Sequence, residues 1–173
     1  MNLWLRLLRV WATARRRPPL GARDTSVIRI RAWPHDLDVW GHVNGGRYLT
    51  LSDLGRIDLL IRVGLARVVR QEGWMLPMAI TAVRFRRPWH LFQTCELRTR
   101  ILGWDDQWGY MSTEFVHSGK IVAKVVTKAL VLDRNGSKVP IAVILDRLGL
   151  PGETLPVPAE IRAWADASVE AID

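Results

Sequence analysis

The sequence predicts an α+β fold: an antiparallel β-sheet curled around one long central helix, with a basic N-terminal helix and a C-terminal helical tail. Three observations carry this prediction. One strand-like alternation precedes a long apolar helical stretch, four further strand candidates follow it, and the connections among those four are short. Short connections require antiparallel neighbours. A sheet that must bury one long helix does so most economically by wrapping around it.

Taken in order, residues 2–14 place Trp4, Leu7, Leu8 and Trp11 at helical spacing. Arg6 and Arg9 interrupt the run, so it cannot span a bilayer, which needs about 20 apolar residues. It also lacks the apolar core and cleavage site of a signal peptide. Two readings stay open: an amphipathic helix on an anionic membrane surface, or a helix packed on its own domain or a partner subunit. Arg15-Arg16-Arg17-Pro18-Pro19 ends the helix and begins a linker. Ser26 to Trp33 alternates around Ile28, Ile30 and Ala32 and reads as a strand.

Gly46 to about Ala66 reads as a helix of some five turns. Its apolar residues point to almost every side, which predicts burial. Asp53 and Arg56, and Asp58 and Arg62, are spaced as helical ion pairs. The strand candidates are Met78 to Arg86, Thr94 to Leu102, Trp108 to Val116 and Ile121 to Leu132. The last is nearly continuously apolar and is expected to be central. His117-Ser118-Gly119-Lys120 signals a tight hairpin. Beyond Pro140, Ile141 to Leu148 reads as a short helix, and Ala159 to about Ala171 as an acidic final helix. The expected organisation is an N-terminal helix and linker over 1–22, the main domain over 23–140, and a helical extension over 141–173.

The chain has 173 residues, 49% of them hydrophobic and 24% charged, which suits a single domain with a real core. The formal net charge of +8 invites a nucleic-acid reading, but its placement argues against one. Residues 1–31 hold eight arginines against the single acid Asp24, so the excess belongs to the N-terminal segment. No nucleic-acid partner is expected. The one cysteine, Cys95, lies on the apolar face of an alternating strand and reads as core. The four histidines are scattered without metal-ligand spacing, so neither a metal nor another cofactor is expected.

The candidate chemistry sits in Pro34 to Tyr48. Asp36 and Asp38 alternate on a short segment, Trp40-Gly41 turns the chain, and Asn44 stands where a helix cap belongs. This puts a carboxylate beside a helix N-terminus, whose unpaired N–H groups carry partial positive charge. A base or nucleophile facing such donors suits acyl transfer. Gly45-Gly46 leaves those N–H groups unobstructed by side chains.

The pattern Asp-x-Asp-x-x-Gly-His-Val-Asn, followed by Arg-Tyr-Leu, resembles the hotdog-fold acyl-CoA thioesterases of the 4-hydroxybenzoyl-CoA thioesterase type. The resemblance extends in pattern from about Ser26 to Arg134, with its specific part at Asp36 to Tyr48. It implies a hotdog fold and assigns the catalytic carboxylate to Asp38. Many relatives continue His-Val-Asn-Asn, whereas here the second Asn is Gly45, so that amide is missing.

The expected function is therefore metal-free hydrolysis of an acyl-CoA thioester. Asp38 would be base or nucleophile, Gly45 N–H an oxyanion donor with Gly46 N–H assisting, and Asp36 structural. His42 would hold the loop, Asn44 cap the helix, and Tyr48 floor the pocket. Arg84, Arg86 and Arg87 are candidates for the coenzyme A phosphates. A homodimer or dimer of dimers is expected, cytoplasmic, with residues 2–17 holding it at an anionic membrane in one of the two readings above. The competing reading is a non-catalytic, membrane-associated hotdog domain that binds acyl chains or a protein partner. A dehydratase on the same fold fits less well, because His42 does not precede the helix as that chemistry requires.

Overall fold

A computed structural model describes residues 3–170; the expected helix ends at Asn2 and Ala171 lie outside them. The elements are α1 (Leu3–Ala14), β1 (Thr25–Arg31), a single 3-10 turn (Pro34–Asp36), α2 (Gly45–Arg62), α3 (Leu65–Glu72), β2 (Met78–Phe85), β3 (Thr94–Trp104), β4 (Gly109–His117), β5 (Lys120–Ala129), α4 (Ile141–Arg147) and α5 (Ala159–Glu170). The five strands form one antiparallel sheet in the order β1-β3-β4-β5-β2, with β1 paired to β3 from Thr25 opposite Arg100 to Arg31 opposite Thr94.

Each expected strand is present, and three expectations about where elements end and how strands pair need correction. The long helix ends early: Gly64 adopts φ 86°, and the segment to Ala66 is replaced by the separate helix α3. A left-handed residue cannot continue a right-handed helix. Next, β2 and β3 are not neighbours, although their connection is short. β2 lies at the edge beside β5, because Pro88 and the fully buried Trp89 carry the chain inward instead of turning it back. Lastly, β5 stops at Ala129 and is interior, while β4 is the middle strand. The β4–β5 hairpin has the expected tight turn, with Ser118 at φ 48° and Gly119 at φ 74°. Positive φ at both central residues matches the twist of the flanking strands.

The chain divides into two compact units. The first comprises residues up to Val63 together with Val83–Arg100 and Ser112–Val125. Its core packs Tyr48, Leu51 and Leu54 of α2 against Ile28, Ile30, Cys95, Leu97, Phe115 and Val125 of the strands. Gly55 lets α2 approach β3 closely, since a Cβ there would collide with Thr99 Oγ1. Part of α2 remains uncovered: Leu49 is exposed, and Ile57, Leu60 and Ile61 are only half-buried, so the helix is less enclosed than its composition suggested. Both expected ion pairs, Asp53–Arg56 and Asp58–Arg62, form along it.

α1 belongs to this unit and packs on it. Arg6, Val10 and Ala14, spaced by four, are buried, and Leu3 and Leu7 are packed against the core. The face expected to hold Trp4, Leu7, Leu8 and Trp11 is therefore split, because Leu7 turns inward.

The second unit comprises Gly64–Ala82, Ile101–Met111 and the chain from Val126 onward. It has two apolar clusters of its own. Tyr110, Val157 and Ala165 pack with Trp108, Ile161 and Trp164. Val131, Val139 and Ile144 pack with Trp74, Leu76 and Leu148. The helical tail is thus held by aromatic packing, and burial together with the Asp105 carboxylate pushes the Tyr110 hydroxyl up to about 12.

Candidate active site

The two acids of the motif have opposite surroundings. Asp36 is fully buried at the end of the 3-10 turn. Its oxygens accept from Arg6 (2.6 and 3.2 Å), from Arg47 (2.7 and 3.0 Å) and from Trp33 N–H (2.9 Å). Burial pushes its carboxyl up, but the hydrogen bonds from Arg6, Trp33 N–H and Arg47 outweigh burial and hold it below the ordinary carboxylate range. Its own carbonyl accepts from Asn44 N–H at 2.9 Å. Asp36 therefore ties α1, the segment just after β1 and the start of α2 to one point.

Asp38, two residues on, is half-buried. Its Oδ1 accepts from Trp40 N–H (2.9 Å) and His42 N–H (3.3 Å), and its own N–H donates to the His42 carbonyl (2.8 Å). Gly41, at φ 76°, makes the turn that aims those amides back at the carboxylate. Among the described residues, no group donates a hydrogen bond to Asp38 Oδ2. The loop geometry holds the side chain through one oxygen and leaves the other available.

α2 begins as the sequence indicates. Asn44 is its cap, and Asn44 Oδ1 accepts from Gly46 N–H at 2.9 Å. Gly46 N–H is thereby committed, while Gly45 N–H, at the first helical position, meets no acceptor among the described residues.

That N–H borders a cleft of about 460 Å³, lined by His42, Val43, Gly45, Tyr48, Phe85, Arg86, Arg87 and Pro88. Tyr48 is buried at its floor, with ring centroids 5.2 Å from Phe85, 5.9 Å from Trp89 and 5.1 Å from Phe115. Burial raises the Tyr48 hydroxyl above its ordinary value, and the Asp38 carboxylate adds to it. Tyr48 stays a neutral phenol and feels the Asp38 carboxylate. Cys95, fully buried, is pushed up to about 12 by desolvation and is inert as a nucleophile.

The structure gathers His42, Gly45, Tyr48, Arg86 and Arg87 around the cleft. Asp38 does not line the wall; its Oδ1 accepts from the N–H of His42, which does. Arg84 stands apart, exposed on β2. Arg86 and Arg87 both reach the cleft because their N–H groups share the Val122 carbonyl (2.8 and 3.1 Å), a bulge that breaks strand alternation. His42 holds the loop through its backbone, and its ring stacks edge-on to His90 at 4.9 Å.

Sequence reasoning missed Val43, Phe85 and Pro88 in the wall, Trp89 and Phe115 beneath the floor, and Arg6 as the partner of Asp36. Arg6 had a signal in hindsight, as a charge inside an apolar helical run. The others are brought in by strand pairing, which leaves no local mark.

The Thioesterase-like superfamily matches residues 32–165. Protein THEM6 of Xenopus laevis is 41% identical over 83 residues, 48% of this chain and 40% of that protein, so the match spans less than half of the relative. Two solved structures are similar in fold. The probable thioesterase YbaW of Escherichia coli has a TM-score of 0.67 at 19% identity, covering 72% of this chain and 96% of that one. The BH1999 gentisyl-coenzyme A thioesterase has a TM-score of 0.62 at 19% identity, covering 69% and 98%. With a five-stranded antiparallel sheet laid on a central helix and the family's match spanning most of its length, the chain belongs to the thioesterase-like superfamily of the hotdog fold.

Proposed function

We propose that this protein hydrolyses acyl-CoA thioesters, with Asp38 as the reacting carboxylate and Gly45 N–H as the oxyanion donor. The observation that carries the proposal is a carboxylate oxygen that accepts no hydrogen bond, on a side chain held by the N–H of the cleft residue His42, together with a helix-start N–H that lines the same cleft and meets no acceptor. Donors fixed in advance at a helix N-terminus stabilise the oxygen charge that develops when a thioester carbonyl is attacked. Asp38 Oδ2 then takes the proton of an attacking water or attacks the carbonyl itself. Gly46 N–H contributes by holding the cap rather than as a second donor. The thioesterase named among the fold neighbours acts on a coenzyme A ester, which supports this substrate class.

Tyr48 and Phe85 present aromatic rings to the cleft, backed by the buried Trp89 and Phe115, which supports an acyl group that packs against rings. Arg86 and Arg87 supply charge at the rim for the coenzyme A phosphates. A paired assembly belongs to the same reading. β2 is an edge strand with exposed Met78 and Phe85, and an edge that carries apolar side chains calls for a covering partner.

The test is thiol release from a panel of short, long and aromatic acyl-CoA substrates by the wild-type protein and by Asp38→Asn. Asn at position 38 keeps an oxygen to accept from Trp40 and His42, so the loop survives. The expected result is a folded variant with turnover reduced roughly 100–10,000-fold, the range for loss of a general base. A wild-type protein inert toward the whole panel would favour the binding-domain reading.

A further inference from the structure

α1 buries an arginine and leaves its largest apolar side chains in solvent. Arg6 is 1% exposed, whereas Trp4 is 73%, Leu8 61%, Leu5 57% and Trp11 44% exposed. On a helix these four fall on one continuous face, with Arg15 stacked over the Trp11 ring at 3.5 Å. No helix among the described residues is long and apolar enough to cross a membrane. The ridge is not a folding defect in a loosely held segment. The buried Arg6–Asp36 ion pair and the packed Val10 and Ala14 fix which face of α1 points outward.

Beside the ridge lies a second feature, independent of it. A groove of about 520 Å³ between α1 and β1 is lined by Arg6, Arg9, Arg17, Arg29, Arg31 and Trp33, and among the described residues no acidic side chain lines it. Carboxylates reach three of these arginines from outside the groove: Asp36 pairs with Arg6, Asp58 with Arg17 and Glu96 with Arg29. Arg31 donates to the Phe92 carbonyl (3.0 Å) and meets no acid, and Arg9 has no acidic partner among the described residues. Arg6 Nε is buried without an acceptor. Arg9 and Arg31, the two without a carboxylate, leave the hollow with positive charge that a bound anion neutralises. Phosphate suits planar guanidinium donors. Arg9, one helical turn beyond Leu5, is exposed and lies between ridge and groove.

We propose that α1 docks the protein on an anionic phospholipid surface, with Trp4, Leu5, Leu8 and Trp11 entering the interfacial layer and a lipid phosphate occupying the arginine groove. Charge complementarity favours this occupant over a protein. A bilayer interface offers an apolar layer directly beneath a phosphate layer, and the ridge and groove match that pairing. Trp at the boundary of the two layers is the favoured residue there. The proposal is independent of the chemistry assigned to Asp38, and none of its residues lines the cleft near Gly45.

The experiment is co-sedimentation of the full chain with vesicles of phosphatidylcholine alone and of phosphatidylcholine with 30% phosphatidylglycerol (about one anionic lipid in three). The expected result is at least tenfold tighter binding to the anionic vesicles, weakened by added salt. Trp4→Ser with Trp11→Ser should lose binding to both vesicle types, since it removes the inserted rings. Arg9→Glu with Arg31→Gln should lose the anionic preference while keeping the wild-type melting temperature and acyl-CoA turnover. Equal wild-type binding to the two vesicle types overturns the role of the groove, and absence of binding to both overturns the proposal. If inorganic phosphate raises the melting temperature while vesicles fail to bind, the groove serves a soluble anion and the membrane assignment is wrong.

Discussion

Asp36 and Asp38 stand two residues apart on one loop and live in different electrostatic worlds. Asp36 is sealed from water between Arg6 and Arg47, its oxygens filled by five donated hydrogen bonds. Asp38 is half-buried, held by two amides on one oxygen, with the other oxygen open. A carboxylate neutralised by two guanidinium groups has little capacity left to take a proton, so Asp36 fixes geometry. A carboxylate with a spare lone pair next to a cleft can react. The same residue type in one short motif thus divides into an anchor and, in the proposed function, a reagent, according to how many donors the tertiary structure delivers to each.

The strongest way to break this comparison is to remove the anchor. Asp36→Asn leaves Arg6 buried without its counter-charge, and breaking a buried pair from one side costs about 3–5 kcal/mol. We expect a large drop in melting temperature, read by circular dichroism, and loosening of α1. An Asp36→Asn variant of near-normal stability that loses turnover would instead make Asp36 the reacting acid and reverse the assignment.

The next test bears on the helix-start donor, Gly45 N–H. Gly45 occupies the first helical position, where proline is well accommodated, and Asn44 already has the extended ψ of 140° that a following proline demands. Gly45→Pro therefore removes the N–H while keeping the helix, and turnover should fall roughly 100–1000-fold. Gly45→Ala keeps the N–H, and its Cβ would sit 3.5 Å from Phe85 Cζ, an ordinary contact, so near-normal turnover is expected. Equal loss in both variants would point to crowding rather than to the donor.

Acid separates the two residues without mutation. Asp36 titrates below the ordinary carboxylate value, so its ion pairs contribute stability that is complete above the unfolded-state pKa of about 3.9. That contribution is lost as pH falls through the lower, folded-state value. The stability gap between wild type and Asp36→Asn, from urea unfolding at several pH values, should be constant near neutrality and shrink below about pH 4. A gap that persists unchanged in stronger acid would show that charge is not its source.

The smallest expected effect concerns the cleft rim. Arg86→Ala and Arg87→Ala should each raise KM for an acyl-CoA substrate roughly tenfold, with kcat little changed, as loss of one charge-assisted hydrogen bond predicts. Arg84→Ala, on the exposed part of β2, should leave both constants near wild type. A KM effect confined to Arg84 would relocate the phosphate contacts.

Much of this was legible in the chain itself. The alternation of Ile28, Ile30 and Ala32, the turn at Ser118-Gly119 and the Asn44 cap are local signals, because strand faces, turn dihedrals and first-turn hydrogen bonds depend on residues a few positions apart. The same locality exposed Asp38 and Gly45 as a motif. Other features were decided only when distant segments met. The neighbour of β2, the gathering of Phe85, Trp89 and Phe115 around Tyr48, and the paired entry of Arg86 and Arg87 all follow from strand order and a bulge. The pairing of Arg6 with Asp36 is the clearest case: a charge thirty residues away determines which acid is inert and which face of α1 meets the solvent. Sequence spacing sets what each segment can form, whereas burial and counter-charge, which select among the chemically equivalent residues, arise only from long-range contact.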